Sequence, residues 1–310
     1  MYYPLLRGRQ NELLAIQELM KGSVLSEKVI PVIEPVKLSP TLVNTIESFN
    51  NSERSLLFIR NPKVGSFYSD LKNPKNTQYK EKLVGLLKGN IHPQRGVYVN
   101  QQFPDAVSRW LADGVSPEEI LAICLHADDI RYFNDADANT EMRIAVPYAP
   151  AFRRVGNKRI LIEDSFNKRQ RNADYSEEKD EFFSENHLYF SKEGYIGFSD
   201  YSIIGKEYSE SGFTPHAVAI HIVYFDSQKV LRVRHFVSDD KDDASDPGGK
   251  FYQALGKLIE WNNQAKLDTI GIRRFAEIYE AQTYPGLGVV KKLSIMHHLE
   301  LMSRYMDGEI

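Results

Sequence analysis

Residues 29–37, VIPVIEPVK, decide the fold: a strand-like apolar run that closes on a carboxylate, Glu34, followed by proline. Runs of this length rich in Val, Ile and Leu read as strands buried on both faces of a parallel sheet. Seven other stretches follow the same plan. They are YPLLRGR (3–9), LLFIRNP (56–62), GVYVNQQ (96–102), ILAICLHAD (120–128), MRIAVPYA (142–149), RILIEDSF (159–166) and YIGFSDYS (195–202). Their closing polar positions are Arg7, Glu34, Arg60, Asn100, His126, Tyr148, the pair Glu163 and Asp164, and Asp200. A polar group at the carboxyl end of each of eight buried strands is the plan of a (β/α)8, TIM-like barrel, whose active-site mouth is built from those ends. An α/β barrel is therefore the expected fold.

The segments between the runs support it. QNELLAIQELMKG (10–22) has a helical apolar face and stops at Gly22, and Ser39-Pro40 is a cap followed by a first-turn proline. TQYKEKLVGLLKGN (77–90) reads as a helix ending at Gly89, and PDAVSRWLADGV (104–115) as a shorter one. The interval from Tyr148 to Glu163 is too short for an outer helix, so the barrel is expected to be distorted around strand 6. Residues 165–194 are polar and charged and read as one long loop of the functional or mobile kind. TPHAVAIHIVYFD and VLRVRHFVSDD alternate around a DSQK turn and predict a β-hairpin over 216–237, followed by an acidic run of Asp239, Asp240, Asp242, Asp243 and Asp246. The tail reads as helices broken at a YPGLG turn (284–288). The expected organisation is a barrel domain over 1–264, containing that loop and hairpin, and a helical extension over 265–310 packed on it.

With 310 residues, 42% hydrophobic and 26% charged, the chain can fill a large core. A net charge of −3 argues against duplex DNA gripped by its backbone. Cys124, the single cysteine, sits in an apolar run and reads as core filling; no zinc-type spacing exists. Arg7 and Arg9 interrupt the start of the chain where a signal peptide needs an apolar segment, and no stretch approaches the length of a membrane span. The expected location is cytoplasmic, with no membrane partner.

In a barrel, Glu34, Glu163, Asp164 and Asp200 would converge on one mouth. Such acids can act as a general acid and base, and Glu34, Glu163 and Asp200 are equally candidates to hold a divalent metal ion. They could also pair with arginines and simply line a polar rim. Arg7 and Arg60, beside Gly8 and Asn61, place a planar donor fork next to backbone, which suits a phosphate or carboxylate. His126 is the histidine best placed for base or ligand work, because it closes a strand. Asn100 is a further substrate-binding candidate by position. In FNKRQRNADY (166–175), Lys168, Arg169 and Arg171 lie beside Phe166 and Tyr175, a combination that can grip a nucleic-acid strand or another anion, or cover a mouth as a lid. His221 and His235 oppose each other across the hairpin and read as surface or partner contacts; His297 and His298 receive no site role. P-loop, GxGxxG, HExxH and GxSxG motifs are absent.

YYPLLRGRQNELLAIQEL, VIPVIEPVKLS, FIRNPKVGSF, IEDSFNKRQRNADY and GFSDYSIIG together resemble the bacterial branch of the beta-protein superfamily, found in bacteria and phage. The resemblance covers essentially the whole chain. It implies a barrel fold and occurrence near mobile elements and defence genes, without an assigned reaction. The positions it carries over are Arg7, Gly8, Glu34, Arg60, Asn61, Glu163, Asp164 and Asp200.

The leading expectation is a hydrolytic enzyme of the phosphodiesterase type acting on an anionic, phosphorylated or nucleotide-like substrate, with a role in phage defence. Glycerophosphodiester phosphodiesterases share an Arg-Gly at the first strand and a Glu at the second, but Leu6 stands where they carry histidine. The alternative is a non-catalytic binding protein of a defence or maturation system, meeting a protein partner through the 216–237 hairpin or the C-terminal helices.

Overall fold

The structure is a computed structural model, and it describes residues 1–88, 94–210, 216–240 and 243–310. Gly89 and Asp242, named above, lie outside the described residues. The chain divides into two compact units: residues 1–13, 27–164 and 186–201 in the first, and 14–26, 165–185 and 202–310 in the second. The 264/265 boundary expected from the sequence falls inside the second unit.

All eight apolar runs form strands of one parallel sheet in the first unit. They are β1 (Leu5–Leu6), β2 (Val32–Ile33), β3 (Leu57–Ile59), β4 (Gln94–Tyr98), β5 (Ile120–Ile123), β6 (Arg143–Val146), β7 (Lys158–Ile162) and β9 (Gly197–Ser199), while β8 (Asp180–Ser184) belongs to the second unit. The order is β1-β2-β3-β4-β5-β6-β7-β9. A parallel bridge from Tyr2 to Phe198, with Tyr3 N donating to Phe198 O (2.8 Å) and Leu5 N to Asp200 O (2.8 Å), brings the two edges together. The result is a nearly closed, barrel-like sheet surrounded by helices, consistent with a TIM-like barrel.

Helices of the first unit follow the strands: α2 (Pro40–Asn51), α3 (Phe67–Lys72), α4 (Thr77–Lys88), α5 (Phe103–Ala112), α6 (Ile130–Asn134) and α7 (Asn186–Tyr189); α1 (Gln10–Lys21) runs across the division. The cap of α2 is the one expected, Ser39 Oγ accepting from Leu42 N with Pro40 at the first position. The irregularity expected at strand 6 lies in its connection. β6 pairs in register with β7 from Arg143–Lys158 to Val146–Leu161, and the link between them carries only a 3-10 turn at Pro150–Phe152. Gly156, at φ +61°, allows that short return, since a Cβ there would lie 2.9 Å from Ile144 Cγ2.

Inside the sheet, Tyr3, Leu5, Val32, Leu57, Ile59, Leu121, Ile123, Ala145, Ile160 and Ile162 form an apolar core that leaves essentially no room for water. The barrel interior is packed, as the layered cores of such sheets are. Cys124, one residue past the interior Ile123, is buried on the other face of the sheet as filler, its thiol pushed up to about 12 by burial and Asp129.

The second unit holds an antiparallel sheet in the order β10-β11-β8, where β10 (Ala219–Phe225) and β11 (Leu231–Val237) are the expected hairpin. α8 (Pro247–Ala265), α9 (Ile270–Glu280) and α10 (Leu287–Asp307) complete it, and α10 packs on β10 and α9. The reading of 165–194 as a single loop is corrected. Residues 172–176 form a 3-10 turn, 180–184 form β8, and 186–189 form α7. β8 exists because it pairs with β11, Arg234 opposite Asp180 and Val233 opposite Glu181; five residues reading DEFFS carry too weak a local pattern to announce a strand.

Candidate functional site

Alternation along each strand decides which closing residue faces the barrel axis. Leu5, Val32, Ile59, Tyr98 and Ile162 belong to the interior, so Arg7, Glu34, Asn61 and Asp164 follow them on the inner face. Tyr201 is itself interior, two residues past Ser199. By the same alternation Arg60, Glu163 and Asp200 fall on the outer face. The expected convergence of acids is therefore corrected: a one-residue offset at the strand end sends a side chain to the other side of the sheet.

Glu34 is the hub of the inner rim. It is fully buried and forms an ion pair with Arg7 Nη1. Tyr98 OH donates to Glu34 Oε2 (2.8 Å), and the backbone N–H of Lys63 donates to Oε1 (2.8 Å). Arg7 N donates to Glu12 Oε2 (2.6 Å), and the Arg7 guanidinium lies over the Tyr201 ring at 5.4 Å. Lys63 Nζ stands 4.6 Å from the centre of the Tyr98 ring. Gly8 is required here: at φ +61° a Cβ would sit 2.9 Å from Glu34 O. Burial, reinforced by Glu34, pushes the Tyr98 phenol well up, and burial with Asp164 and Glu34 pushes Tyr201 up to about 12. Burial opposes the charge of Arg7, but Glu34 and the tyrosines outweigh it and the guanidinium is raised. Such a cluster holds its charges in place; with both Glu34 oxygens engaged, it has no carboxylate ready to accept a substrate proton.

Tyr98, Tyr201 and Lys63 were not among the residues singled out from the sequence. The signal for Tyr98 was present: it lies two positions before Asn100 on the same strand and so shares its face.

Arg60 differs from Arg7. Its Nε and Nη2 are buried with no hydrogen-bond partner among the described residues. Its guanidinium lies 5.6 Å from the centre of the Phe58 ring, on the outer face. Burial, with Arg95 nearby, lowers it to about 10. Arg95 stacks over Trp110 at 6.0 Å and meets Glu119 at 3.6 Å, so among the described residues only one of the two neighbouring cations has an acid.

The remaining candidates have local partners. Asp200 accepts from Tyr2 OH (2.8 Å), and Glu163 Oε2 accepts from Asn186 Nδ2 (2.6 Å). Asn61 reproduces a ladder step with its side chain, donating to Tyr98 O (2.8 Å) and accepting from Tyr98 N (2.8 Å). Asn100 Oδ1 accepts from Gln102 N (2.9 Å) at the entrance to α5. His126 is exposed and opens a 3-10 turn without a side-chain cap bond. Lys168 and Arg171 belong to the second unit, where they face Glu207 (3.8 Å) and Asp174 (2.7 Å). Glu34, Glu163 and Asp200 each serve a different partner, and among the described residues no three His, Cys, Asp or Glu are grouped to hold a metal ion. These residues do not fit a shared metal.

The second unit buries a polar chain of its own. His235 Nε2 lies 2.9 Å from Glu181 Oε1, and His235 Nδ1 lies 2.8 Å from His221 Nδ1. Phe166 and Tyr175 wall the pair, with ring centres 5.1 and 4.5 Å from His221. The register across the hairpin is the expected one, but the pair is structural rather than a surface contact. Burial lowers both imidazoles, His221 far more because Glu181 opposes the effect at His235. His297 and His298, given no role from the sequence, are fully buried. His297 bonds Thr269 Oγ1 (2.7 Å) and Val223 O (2.6 Å), and His298 Nδ1 lies 2.9 Å from Ser202 Oγ.

No protein-family model matches this chain, and neither the curated proteins nor the solved structures include a match. Among the described residues no helix is long and apolar enough to cross a membrane.

Proposed function

We propose that the barrel unit is a binding protein for a phosphorylated or nucleotide-like anion, taken up at Arg60 on the outer rim between β3 and β4. The observation that carries this reading is the unpaired guanidinium. A buried cation normally has an anion beside it, because removing it from water otherwise costs several kcal/mol. Arg60 has none among the described residues and has Arg95 as its neighbour. Two phosphate oxygens would satisfy its two orphaned donors, Nε and Nη2, in the bidentate geometry guanidinium favours. Hydrolysis is a second reading, resting on Asp164, Tyr98 and Tyr201 around Arg7 at the inner rim; it has less support because Glu34 is saturated and Glu163 and Asp200 lie on the other face.

The test is thermal unfolding in rising inorganic phosphate at constant ionic strength. The wild-type midpoint should climb with phosphate, since a ligand that binds only the folded state stabilises it. Arg60→Gln should clearly reduce the climb. An equal climb in both proteins would overturn the assignment.

A further inference from the structure

A groove of about 660 Å³ opens in the second unit along β11 and α8. That volume is within the ~300–1,000 Å³ of small-molecule sites. Its walls include Lys179, Arg234, Phe236, Lys257, Glu260 and Trp261. Residues 257, 260/261 and 264 recur at helical spacing, so one face of α8 lines it.

Charges in the groove are unevenly satisfied. Lys257 Nζ is taken by Val237 O (2.7 Å) and Asp239 Oδ1 (2.7 Å). Arg234 has a single long contact, 3.4 Å from Nη1 to Asp180 Oδ2. That carboxylate is already held at 2.6 Å by Arg232 Nε and at 2.6 Å by Tyr224 OH. The Arg234 guanidinium lies 5.5 Å from the Trp261 ring centre and 5.9 Å from that of Phe236, which fixes its plane while leaving most of its N–H groups unused. Lys179 and Glu260 are exposed, and their side chains have no partner among the described residues.

We propose that this groove binds a nucleoside phosphate. Lys179 and Arg234 take the phosphate oxygens, as a flexible point charge and a preset planar fork. Glu260 accepts from the ribose hydroxyls. Trp261, half-buried and backed by the buried Phe236, is the aromatic surface for the base, since aromatic rings stack on bases of any sequence. An acidic peptide would use the two cations but would meet Glu260 and leave the aromatic wall idle.

The chain has two tryptophans, Trp110 and Trp261. Trp110→Phe therefore leaves an indole that reports on the groove alone, independently of events at Arg60. Adenosine diphosphate titrated into the full-length Trp110→Phe protein should quench that fluorescence saturably. Lys179→Glu or Arg234→Gln on that background should weaken binding about tenfold, the loss of one charge-assisted contact. Lys179→Glu changes an exposed side chain and carries the test if Arg234→Gln does not fold. Adenosine should bind at least about tenfold more weakly than the diphosphate by the same reasoning. Absence of quenching, or quenching unchanged in Lys179→Glu, would overturn the proposal. Inorganic pyrophosphate competing as well as the diphosphate would reduce the groove to an anion patch and overturn the nucleoside assignment.

Discussion

The barrel's inner rim and the hairpin sheet of the second unit each bury a polar chain, and they use opposite kinds of residue. At the rim, Arg7, Glu34, Tyr98 and Tyr201 are joined around a guanidinium that keeps its charge at any ordinary pH. In the second unit, Glu181, His235 and His221 form a chain whose imidazoles burial holds below their usual range, so that protons are taken up more readily once the chain unfolds. Both satisfy buried polar atoms. Only the second contains imidazoles, which the unfolded chain protonates below about pH 6.5. The barrel cluster behaves as a permanent fastening, and the histidine chain as one that acid can release.

Breaking the fastening should give the largest effect. Glu34→Gln leaves Arg7 buried without its counter-charge, and loss of one partner of a buried pair costs about 3–5 kcal/mol. Urea unfolding should show a large fall in midpoint; a shift under about 1 kcal/mol would mean that the rim is open to water and that its ion pair behaves like an exposed one.

Acid should separate the two clusters next. His221, His235 and His297 are all lowered from the usual value by burial, His297 to about 4. They are neutral when folded, while the unfolded chain takes up protons below about pH 6.5. Their contribution is therefore complete above that pH and is lost as pH falls through it, at up to about 1.4 kcal/mol per pH unit for each group. Unfolding free energy measured from pH 7 to pH 5 should decline accordingly, and His297→Gln should flatten the slope by one proton. A pH-independent midpoint in the wild type would contradict the burial of these rings.

The smallest effect is expected where the chemical change is the same as at Glu34. Glu163→Gln alters an exposed side chain whose bond from Asn186 a glutamine oxygen can keep. Its unfolding midpoint should stay within about 0.5 kcal/mol of wild type. A cost approaching that of Glu34→Gln would erase the distinction between the two faces of the sheet.

Strand ends explain how much of the site was legible. That Glu34 and Glu163 close strands follows from apolar runs alone. That one faces the axis and the other does not depends on where each strand stops relative to its alternation, a single-residue matter in strands as short as Val32–Ile33. The basic stretch around Lys168 and Arg171 illustrates the opposite problem. Its charges invite a ligand when read along the chain, yet Glu207 and Asp174 face them in the fold. Arg60 stands out for the reverse reason, because nothing in FIRNP announces that its donors lack acceptors.

By itself the sequence determined the eight barrel strands, their parallel order, the cap at Ser39 and the hairpin, because apolar period and turn chemistry are local and repeat. Tertiary structure alone decided that β8 exists, that Glu163 and Asp200 leave the mouth, that Arg7 is paired while Arg60 is not, and that four histidines are built into the second unit. Each of these depends on which groups meet across long chain separations, and on which of them water can still reach.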